Sequence, residues 1–258
     1  MQQALDFLEE SEILFDLVHG LEEETLNCPT LFKQWTINDI LVHLHFWNLG
    51  ADLALNDPDA FTVMFEALYN ALKQGKLRAH ENGKISERGS ALVSLWIENS
   101  RSMGKRWQEV DPKTRVKWAG PDMSARTSMS ARQMEVWAHG QAIFDMLGKD
   151  RPEGDRIKNI VMLGVNAFGW SHKVHGLDIP AIMPKLMLEA PSGDVWEYGE
   201  GETGIEGQAV EFCQVVTQTR NVVDTSLKLT GDIAKIWMQN AQCFAGPPEP
   251  PPKPGERG

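Results

Sequence analysis

The feature that most constrains this chain is a change of hydrophobic period near Pro180. Before this residue, apolar side chains such as Leu5, Leu8 and Phe15 recur at three- and four-residue steps, the spacing of one helix face. After it, apolar and polar residues alternate, as in a half-buried β-strand. Because the two patterns follow one another, we expect an α plus α+β fold: a helical bundle and then a small α+β domain.

The patterns divide the 258 residues into four segments. We expect a helical bundle over 1–150, a connecting helix over 151–179, a small α+β domain over 180–246 and a Pro-rich tail over 247–258. Within the third segment, "PKLMLEAPSGDVWEYG" is typical of a hairpin, 208–217 of a strand and "TSLKLTG" of another strand. The tail "GPPEPPPKPGERG" is expected to be extended or disordered, without packing.

Two helix starts can be predicted from capping patterns. Thr36 is a good N-cap, and Asp39 stands three residues later, where its carboxylate can reach back as in a capping box. Ser130 and Gln133 form a second such pattern at the start of a later helix. Between the helical patterns, residues 81–88 are polar and are expected to form a loop.

Composition excludes several classes of protein. The net charge of −11, with scattered basic residues, disfavours nucleic-acid binding. The cysteines, Cys28, Cys213 and Cys243, are too far apart for a disulfide framework or a thiolate zinc site. The start "MQQALDFLEESE" is unlike a signal or transit peptide, and no apolar run reaches the roughly 20 residues of a membrane span. We therefore expect a cytoplasmic protein that binds neither membranes nor nucleic acids.

The segment "SARQMEVWAHGQAIFDML" places Glu135 and His139 four residues apart in a predicted helix. Residues at this spacing lie on the same face, so a carboxylate oxygen and an imidazole nitrogen can both reach one cation. Zinc accepts such ligands at about 2.0–2.2 Å, together with a third from elsewhere. The alternative is a solvated face on which the two side chains form a weak local pair.

A second histidine-bearing helix carries "DILVHLHFW", with His43 and His45 two residues apart. At this spacing the two side chains point to nearly opposite faces, so at most one of them faces a given core. Asp39 stands four residues before His43 and is predicted to accept a hydrogen bond from its imidazole, which would fix the tautomer of a metal-bound histidine. A buried core histidine without a metal is the alternative.

Two motifs resemble those of a known family. "WTINDILVHL" is similar to the D-x-x-x-H-L start of the second helix in mycothiol-dependent maleylpyruvate isomerase-like proteins, which belong to the DinB-like metal-binding superfamily. "QMEVWAHGQ" is similar to their E-x-x-x-H motif on the last bundle helix. The resemblance implies a DinB-like four-helix bundle. It also implies a divalent metal, usually Zn²⁺ with Ni²⁺ as the alternative, held by His43, Glu135 and His139, and an open fourth position for water or a thiol.

The resemblance extends over the rest of the chain. "MLEAPSGDVWEYG", "EFCQVVTQTR" and "WMQNAQCFAGPP" resemble the C-terminal domain of the same proteins, which implies a sterol-carrier-like α+β fold. A basic residue of that domain contributes to activity in the characterised isomerases, and Arg220 is the candidate here by its position. Ala142 departs from the pattern, because some relatives carry an acidic residue there.

Three functions are compatible with these observations. The first is a zinc-dependent isomerase or S-transferase that uses a low-molecular-weight thiol on a small electrophilic substrate. The second is a non-catalytic, metal-containing carrier that binds a hydrophobic ligand in the C-terminal domain. The third is a protein whose metal only ties helices together. The expected partners are therefore a small-molecule substrate or a thiol, and a homodimer is left open.

Overall fold

The computed structural model describes residues 1–257. Over this range the chain divides into two compact units, Met1–Leu147 and the residues from Gly148 onward. The first is helical and the second contains both helices and a sheet, which confirms the predicted fold class. In the described range no helix combines the length and the apolar character needed to cross a membrane.

The first unit is a four-helix bundle with additional elements, of which α4 is a further long helix of 16 residues. Helices α1 and α3 each pack against both α6 and α7. Strands β1 and β2 form an antiparallel pair just before α7. The elements of this unit are α1 (Gln2–Val18), α2 (Glu23–Leu26), α3 (Ile37–Asn56), α4 (Pro58–Lys73), α5 (Leu77–Lys84), α6 (Gly89–Gln108), β1 (Arg115–Val116), β2 (Met123–Ser124) and α7 (Ala125–Leu147).

The start of α3 agrees with the capping prediction. The hydroxyl oxygen of Thr36 accepts a hydrogen bond from the backbone N–H of Asp39 at 3.1 Å, and the Asp39 carboxylate accepts one from the backbone N–H of Thr36 at 3.0 Å. Both groups would otherwise be unsatisfied at a helix terminus. The capping box is therefore confirmed, and it fixes the first turn of the helix that carries His43.

The start of α7 differs from the prediction. The helix begins at Ala125, five residues before the position that the Ser130 pattern indicates. Ser124 supplies the local acceptor, because its hydroxyl oxygen accepts a hydrogen bond from the backbone N–H of Thr127 at 3.2 Å. The hydroxyl of Ser130 instead donates to the carbonyl of Arg126 at 3.0 Å, inside the helix.

The predicted polar loop over 81–88 is also wrong in part. Its first residues belong to α5, which packs against α3 and α4. The helix is mostly polar, so its hydrophobic pattern is weak, but it buries Glu81 almost completely. A buried carboxylate needs partners, and the partners of Glu81 lie on α3.

Tryptophan side chains fill much of the bundle interior. Trp96 and Trp107, both on α6, are fully buried in the hydrophobic core of this unit. Burial of one such side chain removes about 150–250 Å² from water, which corresponds to about 4–6 kcal/mol before the entropic cost of ordering it. Trp107 also donates a hydrogen bond from Nε1 to the carboxylate of Asp52 on α3 at 2.8 Å, so this packing joins α6 to the helix that carries His43.

The second unit combines four helices with a four-stranded sheet in the order β4-β3-β5-β6, as far as the described residues go. Strand β3 is parallel to β5 and antiparallel to β4, so the predicted hairpin over 185–198 is confirmed. The short strand predicted in "TSLKLTG" is β6. The elements are α8 (Lys158–Asn166), α9 (Phe168–Val174), β3 (Lys185–Glu189), β4 (Val195–Tyr198), β5 (Gly204–Gln208), α10 (Ala209–Val216), β6 (Lys228–Thr230) and α11 (Asp232–Gln239).

The strand predicted over 208–217 is a helix. Strand β5 ends at Gln208 and α10 follows at once. A short apolar run fits either period, and packing decides between them. In α10, Phe212 and Val216 share a face four residues apart and lie against Gly164 of α8, where an added Cβ would come within 2.9 Å of Phe212 and 3.0 Å of Val216.

The Pro-rich tail contains no helix or strand in its described residues, but it packs against the rest of the second unit, so the expectation that it would not pack is wrong. The amide of Gln218 donates to the carbonyl of Glu249 at 2.7 Å, and the amide of Asn221 donates to the carbonyl of Pro252 at 2.8 Å. Side-chain amides thus donate hydrogen bonds to backbone carbonyl groups of the tail, which has no strand partner to bond them. The sterol-carrier-like character of this unit stays a prediction.

Candidate metal centre

The structure brings the side chains of His43, Glu135 and His139 together at one point in the first unit. His43 comes from α3, and the other two residues lie one turn apart on α7. A Glu135 carboxylate oxygen (Oε2) lies 3.3 Å from Nε2 of His43 and 3.1 Å from Nε2 of His139. The histidine and carboxylate groups that the two sequence motifs indicate therefore face each other.

These three groups could hold a divalent metal ion such as zinc. Their ligand atoms all lie within 4.8 Å of one another. Two atoms bonded to a tetrahedral zinc at about 2.0–2.2 Å are separated by roughly 3.3–3.6 Å, close to the observed 3.1 and 3.3 Å. Two imidazoles and one carboxylate are also a donor set that zinc accepts. The side chains keep 10–19% of their surface exposed, so a small ligand can approach the point between them.

Glu81 of α5 holds the other nitrogen of His43. Its carboxylate oxygens lie 3.0 and 3.1 Å from Nδ1 of His43, and one of them accepts a hydrogen bond from Nε1 of Trp47 at 3.1 Å. When His43 is neutral, with its proton on Nδ1 and shared with Glu81, Nε2 keeps a lone pair for a metal ion; when the imidazole is doubly protonated, Nε2 donates to Glu135 instead. A carboxylate in this position fixes the tautomer and raises the basicity of a histidine ligand.

The prediction that Asp39 accepts this hydrogen bond is wrong. The Asp39 carboxylate is bonded to Thr36 at the helix start and accepts a further hydrogen bond from the Asn82 amide at 2.8 Å. Arg78 lies 3.6 Å away. The capping role and the role of histidine support compete for the same carboxylate, and the capping role prevails because Glu81 occupies the position beside His43.

Aromatic side chains enclose the imidazole of His139. The ring of Trp35 is stacked parallel to it, with centroids 5.9 Å apart and an interplanar angle of 3°. The ring of Phe32 approaches it edge-on at 4.9 Å. Trp35 also meets the ring of His43 edge-on at 5.3 Å. These contacts restrict the rotation of both imidazoles and exclude water from part of their surroundings.

The charges of the site are strongly coupled. Burial lowers the pKa of His43, but the carboxylates of Glu81 and Glu135 outweigh it and raise this pKa to about 9. Burial favours protonation of Glu135, yet its bonds to His139 and His43 and the charge of Arg132 hold its pKa well below the usual range. Burial lowers the pKa of His139 more than its bond with Glu135 raises it. Without a metal, a proton on His43 thus balances the carboxylates. A divalent cation would displace this proton.

Arg132 is a second cation beside the centre. It lies three residues before Glu135 on α7, and only 1% of its surface is exposed. Its guanidinium carbon is 5.9 Å from the ring centroid of Trp47 and 5.8 Å from that of Trp118. Nη2 of Arg132 is 4.0 Å from a Glu135 oxygen, which is too long for a hydrogen bond. In the described chain, Nε and Nη1 have no hydrogen-bond partner.

The sequence reasoning singled out neither Glu81 nor Arg132. Arg132 was open to prediction, since a spacing of three residues places it on the same helix face as Glu135. Glu81 was not, because it is 38 residues from His43 in a short polar helix and no spacing rule connects them.

Arg220, the predicted catalytic residue, lies in the second unit in the turn after α10. Its Nη1 donates to the carbonyl of Thr219 at 2.9 Å, and its backbone N–H bonds the carbonyl of Gln214 at 3.2 Å. It therefore follows a helix rather than the strand expected there. Its catalytic role stays a prediction.

Comparisons with known proteins identify a family for this chain. The family profile described as the mycothiol maleylpyruvate isomerase N-terminal domain matches residues 7–144. An uncharacterized protein of Mycobacterium tuberculosis, found in two strains, is 32% identical over 246 residues, which cover 94% of this chain and 95% of the relative.

Solved structures show the same fold. Crystal structures of the mycothiol-dependent maleylpyruvate isomerase and of a point mutant of it superpose with a TM-score of 0.54. They cover 83% of this chain and 87% of theirs, at 15% identity. At this identity the likeness supports the fold alone, whereas the profile match covers more than half of the chain. The chain belongs to the family of proteins built on the mycothiol maleylpyruvate isomerase N-terminal domain.

Proposed function

We propose that this protein is a zinc-dependent enzyme that uses a thiol cofactor on a small electrophilic substrate, as an isomerase or an S-transferase. The observation that carries the proposal is the convergence of His43, Glu135 and His139 from two helices on one partly exposed point. The names of the family profile and of the structural neighbours make mycothiol the thiol that we propose.

The number of ligand groups favours a catalytic metal over a structural one. Structural zinc sites are closed by four protein ligands, whereas catalytic sites have three and leave one position for water or substrate. Among the described residues, the group of side chains able to hold an ion here has three members. Glu81 faces the far nitrogen of His43 and is therefore a support for a ligand and not a fourth one.

The residues of the site have distinct roles in this proposal. A bound zinc ion would supply Lewis acidity and lower the pKa of a coordinated thiol. His43, Glu135 and His139 would hold the ion, and Glu81 keeps the proton of His43 on Nδ1. Trp35 and Phe32 keep water from one side of His139. We assign to Arg220 the contribution to activity that its resemblance to the basic residue of the characterised isomerases implies.

Metal analysis of the purified protein tests the first half of the proposal. After dialysis against zinc, wild type is expected to contain about one ion per chain, and His43→Ala and Glu135→Ala a small fraction of that. His45→Ala, a change two residues away on the opposite side of α3, is the matched control and should retain the metal. Equal metal content in all four proteins would remove the basis of the site.

Thiol binding tests the second half. With Co²⁺ in place of zinc, a coordinated thiolate adds a sulfur-to-metal charge-transfer absorption. Mycothiol is expected to produce this band in wild type and not in His43→Ala. If the loaded wild type shows no band at saturating thiol, the metal site stands but the thiol-linked function does not.

A further inference from the structure

We propose that Arg132 binds a carboxylate of the ligand at the metal centre, so that the site selects small molecules that carry an anionic group close to the reacting one. This inference rests on the proposed function, because it assumes that a ligand enters beside His43, Glu135 and His139. It concerns Arg132 rather than the metal ligands, and a carboxylate of the bound molecule rather than its thiol.

The first argument is that the guanidinium is buried with unused N–H groups. Nε and Nη1 of Arg132 have no hydrogen-bond partner in the described chain. A buried donor without a partner costs about 1–3 kcal/mol, and more for a charged group. Each such group calls for an explanation, and in the described chain Arg132 is the side chain with two of them. A ligand that supplies oxygen atoms to these groups would remove the cost.

The second argument is that Glu135 does not satisfy this cation. The separation of 4.0 Å between Nη2 and the Glu135 oxygen provides electrostatic attraction without a hydrogen bond. The same carboxylate is already bonded to the imidazoles of His43 and His139. Arg132 therefore remains available to a second carboxylate while staying close to the metal ligands.

The third argument is the sum of charges. Two buried or half-buried carboxylates, Glu81 and Glu135, surround the centre together with the guanidinium of Arg132. Once a divalent cation is bound by neutral histidines, the cluster has one net positive charge. Buried charges need compensation, so the loaded site favours an anionic ligand; a metal-bound thiolate would supply one negative charge, and Arg132 offers a separate local cation for a carboxylate.

The fourth argument concerns geometry and access. Arginine normally binds a carboxylate through two parallel N–H···O bonds. Nε and Nη1, the two nitrogens without a partner, each form one edge of the planar guanidinium together with Nη2. The rings of Trp47 and Trp118 fix the guanidinium plane. Trp118 is half-buried and lies in the loop between β1 and β2, and we place the entry of the ligand at this side of the guanidinium.

The test compares two thiols that differ only in charge, 3-mercaptopropionate and 3-mercaptopropionamide, by their dissociation constants for the Co²⁺-loaded protein. Wild type is expected to bind the carboxylate at least about 10-fold more tightly than the amide, since hydrogen bonds to charged groups contribute about 1.5–3 kcal/mol. In Arg132→Gln the ratio should fall to near one at unchanged metal content. Arg126→Gln, an exposed arginine on the same helix, is the control and should keep the wild-type ratio.

Two results would overturn the inference: equal affinity of wild type for both thiols, or an unchanged ratio in Arg132→Gln. If Arg132→Gln loses its metal, Arg132→Lys takes its place in the test, because lysine keeps the charge but lacks the planar fork of N–H donors. The preference of Arg132→Lys for the carboxylate thiol over the amide thiol must then fall below that of wild type.

A second measurement separates this inference from the proposed function. Propionate, which has no thiol, should shift the Nε–H NMR resonance of Arg132 in the zinc-loaded protein, and propionamide should not. If propionate shifts it while neither thiol binds the metal, the thiol-linked function fails and the Arg132 site stands. If neither thiols nor propionate bind, the Arg132 site fails as well.

Discussion

The two sides of α3 offer a direct comparison, because each carries one buried histidine. His43 is 8% exposed and His45 is 4% exposed, so burial does not distinguish them. On one side, His43 meets the carboxylates of Glu81 and Glu135 and the ring of His139. On the other, Nδ1 of His45 has no hydrogen-bond partner in the described chain.

The electrostatics of the two sides are opposite. Two carboxylates raise the pKa of His43 to about 9 in spite of its burial. Burial lowers the pKa of His45, and the nearby charge of Glu87 offsets this only in part. A histidine on an apolar helix is therefore not a ligand by virtue of burial. The carboxylates that face it from two other helices distinguish His43 from His45.

The largest expected effect is the response of folding stability to metal. In chelator-treated wild type and in His45→Ala, zinc at about 1,000 times its dissociation constant should raise the free energy of unfolding by about 4 kcal/mol. His43→Ala should show almost no increase. Chemical denaturation with and without zinc measures the difference. The comparison breaks down if the two variants respond alike.

The second prediction is that, in the metal-free protein, His43 and His45 contribute to folding stability with opposite pH dependence. His43 has a raised pKa, so its contribution is complete below the unfolded value of about 6.5 and is lost as the pH rises through about 9. The loss is at most about 3 kcal/mol. His45 has a lowered pKa, so its neutral form is favoured above about pH 6.5 and stability is lost as the pH falls below that value.

Unfolding free energies from pH 5 to 10 check these signs. His43→Ala should flatten the alkaline part of the profile, and His45→Ala the acidic part. The same slope change in both variants would contradict the assigned environments.

The third prediction concerns the carboxylate that supports His43. Glu81→Gln keeps the shape of the side chain but removes the charge, and loss of such a support typically weakens metal binding by about 10–100-fold. Competition with a chromophoric chelator gives the affinity. An unchanged affinity would show that Glu81 does not support a ligand.

The smallest expected effect separates Asp39 from the site. Asp39→Ala should lower the free energy of unfolding by about 1 kcal/mol, because it breaks the capping box at the start of α3. Its zinc affinity should equal that of wild type in the same chelator competition. A loss of affinity as large as in Glu81→Gln would restore Asp39 as the partner of His43.

Local patterns predicted much of the fold and part of the site. The Thr36–Asp39 capping box and the hairpin over 185–198 depend on neighbouring residues, and both are present. The E-x-x-x-H spacing likewise indicated that Glu135 and His139 face one point. For His43, the resemblance to the family was needed, since the residues alone left a core histidine as the alternative.

Tertiary contacts account for what the sequence could not show. Glu81 is polar, lies in a polar segment and gains its role only because α5 packs against α3. The segment from Ala209 to Val216 is short and apolar, and its contact with Gly164 selects a helix where alternation suggested a strand. In both cases the deciding partner is distant in the chain.

A crystal structure of the zinc-loaded protein, with anomalous diffraction recorded at the zinc edge, tests most directly whether His43, Glu135 and His139 bind one metal ion. We predict one strong peak in the first unit within about 2.0–2.2 Å of Nε2 of His43, a carboxylate oxygen of Glu135 and Nε2 of His139. A zinc peak bound elsewhere, with His43 still bridging Glu81 and Glu135, would contradict it.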